Sequence, residues 1–85
     1  MNEQPRRDGS VTFLRAELQT GLLFASLAEQ ASEQDKIDRT LENARRAYLS
    51  VRRFMGKVPL SGAEAAELSE TLGELESRLQ MLYSS

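Results

Sequence analysis

Residues 37–64 read IDRTLENARRAYLSVRRFMGKVPLSGAE, and this stretch decides the fold. Its apolar residues Ile37, Leu41, Ala44, Tyr48, Val51 and Met55 recur in alternating steps of four and three. That spacing lines one face of an α-helix with the seam of a coiled coil. The helix then meets Gly56, placed to close it in a left-handed turn, and Pro59, which cannot continue it. Ser61 and Glu64 come next as an S-x-x-E capping box, which satisfies two otherwise orphan amide donors at the start of a third segment. That segment, 62–82, repeats the same steps through Leu68, Leu72, Leu75, Leu79 and Leu82. A connection this short makes the two helices antiparallel neighbours, with facing residues whose numbers sum to about 116–120. Tyr48 then falls between Leu68 and Leu72, and Leu41 between Leu75 and Leu79, so the two seams stay in step over their whole length.

Upstream, residues 11–31 form another helical segment, and its apolar residues make two stripes. Leu14, Leu18, Leu22, Ala25 and Ala28 form the first; Phe13, Thr20, Phe24, Leu27 and Ala31 form the second, with Ala16 and Leu23 beside it. Together they cover roughly two-thirds of the circumference. The second helix is expected over 35–55. Between the two lies Ser32-Glu33-Gln34-Asp35, with neither Gly nor Pro. Phase argues for a break there, because in one straight helix Ile37 would sit about 140° round from Leu14, inside the first segment's polar strip. Ser32 with Asp35, or Asp35 with Asp38, offers N-cap chemistry for a new start; a bent continuous helix is the alternative. Residues 1–10, MNEQPRRDGS, are polar, hold Pro5 and Gly9 and show no periodicity, so they read as a disordered tail. The fold expected is all-α: an antiparallel up-down-up three-helix bundle over 11–83.

Composition narrows the chemistry. The 85 residues include no Cys, His or Trp, so disulfides, thiolate nucleophiles, Cys/His metal sites and histidine-based catalytic dyads are excluded. No cofactor or metal site is expected, and no phosphate-binding glycine loop is present. Arg6-Arg7 could suggest an export signal, but Arg15 and Glu17 interrupt the apolar segment downstream of it, so none is expected. The longest apolar run, 21–25, is far below the ~20 residues of a membrane span. The expected compartment is the cytoplasm.

The net charge of −2 hides a local asymmetry. Residues 36–57 carry seven basic side chains against Asp38 and Glu42, a net of +5, while residues 58–85 carry five Glu against one Arg, a net of −4. Arg39, Arg46 and Arg53 recur every seven residues opposite the second seam, and Arg45 and Arg52 flank it. This candidate basic face reads as a solvated surface partly neutralised by the acidic third helix. The alternatives are a dock for an acidic protein or, less well supported without interleaved aromatics, nucleic acid. Glu17 falls inside the apolar arc of the first helix, where pairing with an arginine of the second helix is expected. Gly21, on the same arc, is expected to let two helices approach closely, and Met55 and Met81 to pack at helix ends.

Three helices in so short a chain are also the format of the all-helical chorismate mutases, but those need charged and amide side chains turned into an enclosed pocket. The inward stripes here are aliphatic, and the comparison fails. The stretch Leu41-Glu42-Asn43-Ala44-Arg45-Arg46-Ala47-Tyr48, followed by Val51 and Phe54, resembles segments of small uncharacterised bacterial helical proteins; the resemblance implies no activity.

Counting faces gives the functional expectation. Each helix of a three-helix bundle touches two neighbours, for which an apolar arc of about 140–160° suffices. The first helix exceeds that, and the surplus is Ala16, Thr20, Leu23, Phe24 and Leu27. A surplus apolar patch marks a contact site. The chain reads as a non-enzymatic interaction or scaffold module, self-associating as a homodimer through this face or binding a helical partner. A regulatory or nucleic-acid-associated protein and an enzyme subunit are the competing classes.

Overall fold

The computed structural model describes residues 4–84, with side chains from residue 9 onward. Three α-helices account for nearly all of it: α1 (Gln4–Gln30), α2 (Gln34–Met55) and α3 (Gly62–Ser84). The molecule measures 50 × 22 × 16 Å. A 27-residue helix is about 40 Å long, so the bundle is little more than one helix in length.

The helices run up, down and up, as four cross-contacts establish. Phe13 of α1 meets Phe54 of α2, and Gly21 faces Ala47; rising numbers on one helix meet falling numbers on the other. Against α3 the numbers rise together, with Arg15 on Glu67 and Ser26 on Arg78. The two polar pairs are each three helical turns apart on both helices, so α1 and α3 hold one parallel register along their shared length. Gly21 also touches Leu75, which puts Ala47 and Leu75 in one layer. That layer lies within about a residue of the register expected from the second turn.

The core contains the expected seams apart from Ile37, which is half-buried and lies outside the core cluster. Leu14, Leu18, Ala25, Leu41, Ala44, Val51, Leu68, Leu75 and Leu79 are buried in one cluster, with Leu22, Tyr48, Met55, Leu72 and Leu82 packed against it. Gly21 completes the α1 contribution. A Cβ there would lie 2.7 Å from Leu75 Cδ2 and 3.2 Å from the Ala47 Cβ, so three helices converge on a position where a side chain would have to push its neighbours back. Thr40, the buried polar residue of α2, donates its hydroxyl to the Lys36 carbonyl at 2.8 Å. The capping box at α3 forms as the sequence predicts: Ser61 N–H donates to Glu64 Oε1 at 3.0 Å, and Glu64 N–H to Ser61 Oγ at 3.1 Å.

Within the helices and their connections, the structure corrects the sequence reading at four places. Residues 4–10, expected as part of a disordered tail over 1–10, are the start of α1; residues 1–3 lie outside the described residues. Pro5 falls in the first turn, where its missing N–H loses no partner, and a helix that continues into the apolar run at Val11 carries Gly9 with it. Gly56 has φ −75° and ψ −10° and is right-handed. The α2 terminus tightens instead into a turn with Lys57 N–H donating to the Phe54 carbonyl at 2.9 Å. At the first connection α1 and α2 are separate helices, but neither Ser32 nor Asp35 caps α2. Glu33 is the N-cap and makes no side-chain hydrogen bond, while Ile37 N–H donates to its carbonyl at 3.0 Å. Met81, expected to pack at the helix end, is 73% exposed.

Candidate interaction surface

Leu23 lies nine residues beyond Leu14, about 180° round the helix, and the two define opposite poles of α1. Leu14 is fully buried, whereas Leu23 is 59% exposed. Ala16 and Thr20 are exposed beside Leu23, and Phe24 and Leu27 are half-buried at the margin. Phe13 extends the patch: it is 44% exposed and stacks edge-on against Phe54, itself 39% exposed, with centroids 5.8 Å apart and planes at 87°. A shallow depression of about 280 Å³ adjoins this pair, lined by Gly9, Ser10, Phe13, Leu14, Phe54 and Val58. The sequence marked every member of the α1 patch but not its continuation onto α2; the Phe13–Phe54 contact follows only once the register of the two helices is known.

Charge is absent from this face for a structural reason. Thr12, Gln19 and Gln30 flank it as exposed neutral residues. Arg15 is drawn sideways onto Glu67, donating from Nε to Oε2 and from Nη2 to Oε1, both at 2.9 Å. That hydrogen-bonded fork holds the Glu67 carboxyl below the usual glutamate range, against the smaller opposing effect of desolvation. Glu17 is half-buried on the other flank. It has no ion pair among the described residues, so the pairing expected with an arginine of α2 does not occur. By contrast, α2 shows Arg39, Arg46 and Arg53 to solvent, and α3 shows Glu70 and Glu74.

The five arginines expected on one basic face divide between two. Arg39, Arg46 and Arg53 stand exposed opposite the seam of α2. Arg45 and Arg52 turn toward α3 and line an open groove of about 600 Å³ with Tyr48, Leu49, Glu76, Leu79, Gln80, Tyr83 and Ser84. Arg52 lies 5.8 Å from the Tyr48 ring centroid and donates to its hydroxyl at 3.4 Å. It has no carboxylate partner among the described residues. No α3 carboxylate is in ion-pair contact with these arginines among the described residues, although Glu76 lines the same groove as Arg45 and Arg52. Glu42 of α2 itself takes Arg46 at 3.2 Å and Arg45 at 3.9 Å, while the α3 carboxylates Glu67 and Glu74 take Arg15 and Arg78. Sequence reasoning missed this groove; Leu49 and Tyr83, each one step outside its seam, were its signal.

Among the described residues no cluster of carboxylates is arranged to hold a metal ion, and no helix is long and apolar enough to cross a membrane. No family model matches the chain, and no curated protein or solved structure matches it either.

Proposed function

We propose that the protein is a non-enzymatic helical interaction module that associates with its own kind through the outer face of α1. The observation that carries this reading is the exposure of Leu23 at the centre of a charge-free stripe, in a chain of which 28% is charged. Leaving Leu23 and the edges of Phe13 and Phe54 in water is unfavourable at about 25 cal/mol per Å², and a contact that covers them recovers that free energy. An 85-residue chain gains doubly, since its own core is thin. Sedimentation equilibrium over a wide concentration range tests the proposal. The wild type is expected to dimerise, and Leu23→Glu or Leu27→Glu to shift it to monomer with its helical circular dichroism unchanged. A wild type still monomeric at about 1 mM, where an interface of only ~4 kcal/mol would register, ends this reading.

A second reading is favoured by Arg52, a cation without an ion-paired carboxylate, in a groove lined by Arg45, two tyrosines and two leucines against the one carboxylate of Glu76. In it, an acidic protein segment docks in the α2–α3 groove. Binding to an immobilised glutamate-rich peptide should then weaken with salt and disappear in Arg45→Ala/Arg52→Ala. Binding that survives the double substitution would refute it. Nucleic acid is the weaker alternative, because its phosphates would have to bridge two separate groups of arginines.

A further inference from the structure

The outer face of α1 has a residue order that specifies how it is covered. Phe13, Ala16, Thr20, Leu23 and Leu27 recur in steps of three and four, the pattern of one more coiled-coil seam. Such a seam can meet a copy of itself in parallel or antiparallel, and the two pairings treat the same side chains differently. In parallel, Phe13 meets Phe13 and Ala16 meets Ala16, so one layer is crowded and another has a gap. In antiparallel about Thr20, Leu23 meets Ala16 and Leu27 meets Phe13, so each large residue faces a small or complementary one. The ends agree with the second arrangement. Ala31 of one helix comes level with Gly9 of the other, which has nothing within 4 Å of its Cβ position, and Leu27 comes level with the depression beside Phe13 and Phe54.

Charge points to a second copy as the occupant, in either orientation. A two-fold contact sets every residue near the axis against its own copy, so any ionised side chain there would face its like. The outward stripe of α1 from Phe13 to Leu27 holds no charged side chain, Arg15 and half-buried Glu17 standing on its two flanks, whereas the outward face of α2 displays arginines and that of α3 glutamates. We infer that the occupant of the α1 face is a second copy of α1, antiparallel to the first across a two-fold axis at Thr20. This inference rests on the self-association reading above and adds the partner's orientation and register.

The absence of cysteine from the chain makes the register directly measurable. Thr20, Phe13 and Leu27 are each replaced singly by cysteine, and disulfide formation under mild oxidation is followed on non-reducing gels. Disulfides require Cα atoms within about 7 Å. Thr20→Cys lies on the axis and is expected to link to itself at least ~10-fold faster than Leu27→Cys, whose two copies would stand about 21 Å apart. Phe13→Cys mixed with Leu27→Cys is expected to give the mixed disulfide, while neither links efficiently alone. Equal self-linking at all three positions would show a parallel pair and overturn the inference. So would an absence of linking at Thr20 in a protein that sediments as a dimer, which leaves self-association standing through another face. A wild type that sediments as a monomer removes both readings together.

Discussion

Two glycines with the same local cost occupy opposite environments. Each costs its helix about 1 kcal/mol relative to alanine, yet only Gly21 has neighbours where a Cβ would be. Gly73→Ala, with nothing within 4 Å, is expected to stabilise the fold by about 0.5–1 kcal/mol. Gly21→Ala must push back the fully buried Leu75 and the Ala47 methyl, and overpacking of that kind costs about 1–3 kcal/mol. Thermal melts of the two variants should therefore move in opposite directions; a stabilised Gly21→Ala would refute the packing described for that layer. The role of Gly21 was legible because a glycine inside an apolar arc has few other uses. The Arg15–Glu67 pair was not, because it joins residues 52 positions apart and depends on the register of α1 on α3. Its pH signature has a definite sign. The folded-state pKa of Glu67 is depressed, so the pair's contribution is complete above the unfolded glutamate value near 4.3 and is lost as pH falls through the folded value. Both side chains are half-exposed, which keeps the contribution small. The melting-temperature gap between wild type and Glu67→Gln is expected at about pH 6–7 and should narrow progressively as pH falls below the unfolded glutamate value near 4.3. A gap that is independent of pH would exclude the ion pair as its cause.

At the level of the helices, the sequence was most informative where two periodic seams flank an unambiguous stop. The α2 and α3 seams, the break at Pro59 and the reciprocal hydrogen bonds of Ser61 and Glu64 were all legible, because each depends on residues within a turn or two of one another. Ser61→Ala removes an acceptor for the Glu64 amide and is expected to cost about 0.5–2 kcal/mol, measurable by urea denaturation; no change in the midpoint would mean that water replaces the cap. Local signals misled where tertiary packing overrode them. Pro5 and Gly9 look like breakers but sit on a helix already committed by Val11 and Leu14. Gly56 is suited to a left-handed cap, yet the chain tightens there in a right-handed turn on its way to Pro59. The start of α2 uses Glu33, one of the two residues between the good capping candidates Ser32 and Asp35, because the position of the break is fixed by the phase of the two apolar faces rather than by the side chain available to cap it.

Across the whole molecule the three interfaces are unequal: α1 and α2 meet over far more of their surfaces than either meets α3. The candidate surfaces stem from that asymmetry. The arginines divide because α3 lies beside Arg45 and Arg52 without closing over them, a relation that no periodicity count contains. The face of α1 was legible in the sequence because it needed only the angle each helix must bury. The inequality also has a dynamic consequence. The α1–α2 hairpin is local in sequence and well buried, so it is the unit expected to form early and open last. Amides of α3 are expected to exchange with deuterium through a partial opening of lower free energy than the global one, and equal protection in all three helices would argue against it. A chain whose third helix has detached still holds the α1 stripe in place. Two such chains, joined along that stripe, would be positioned to re-dock each other's α3, so that subunit exchange and helix-for-helix swapping become slow processes available to an otherwise small and simple bundle.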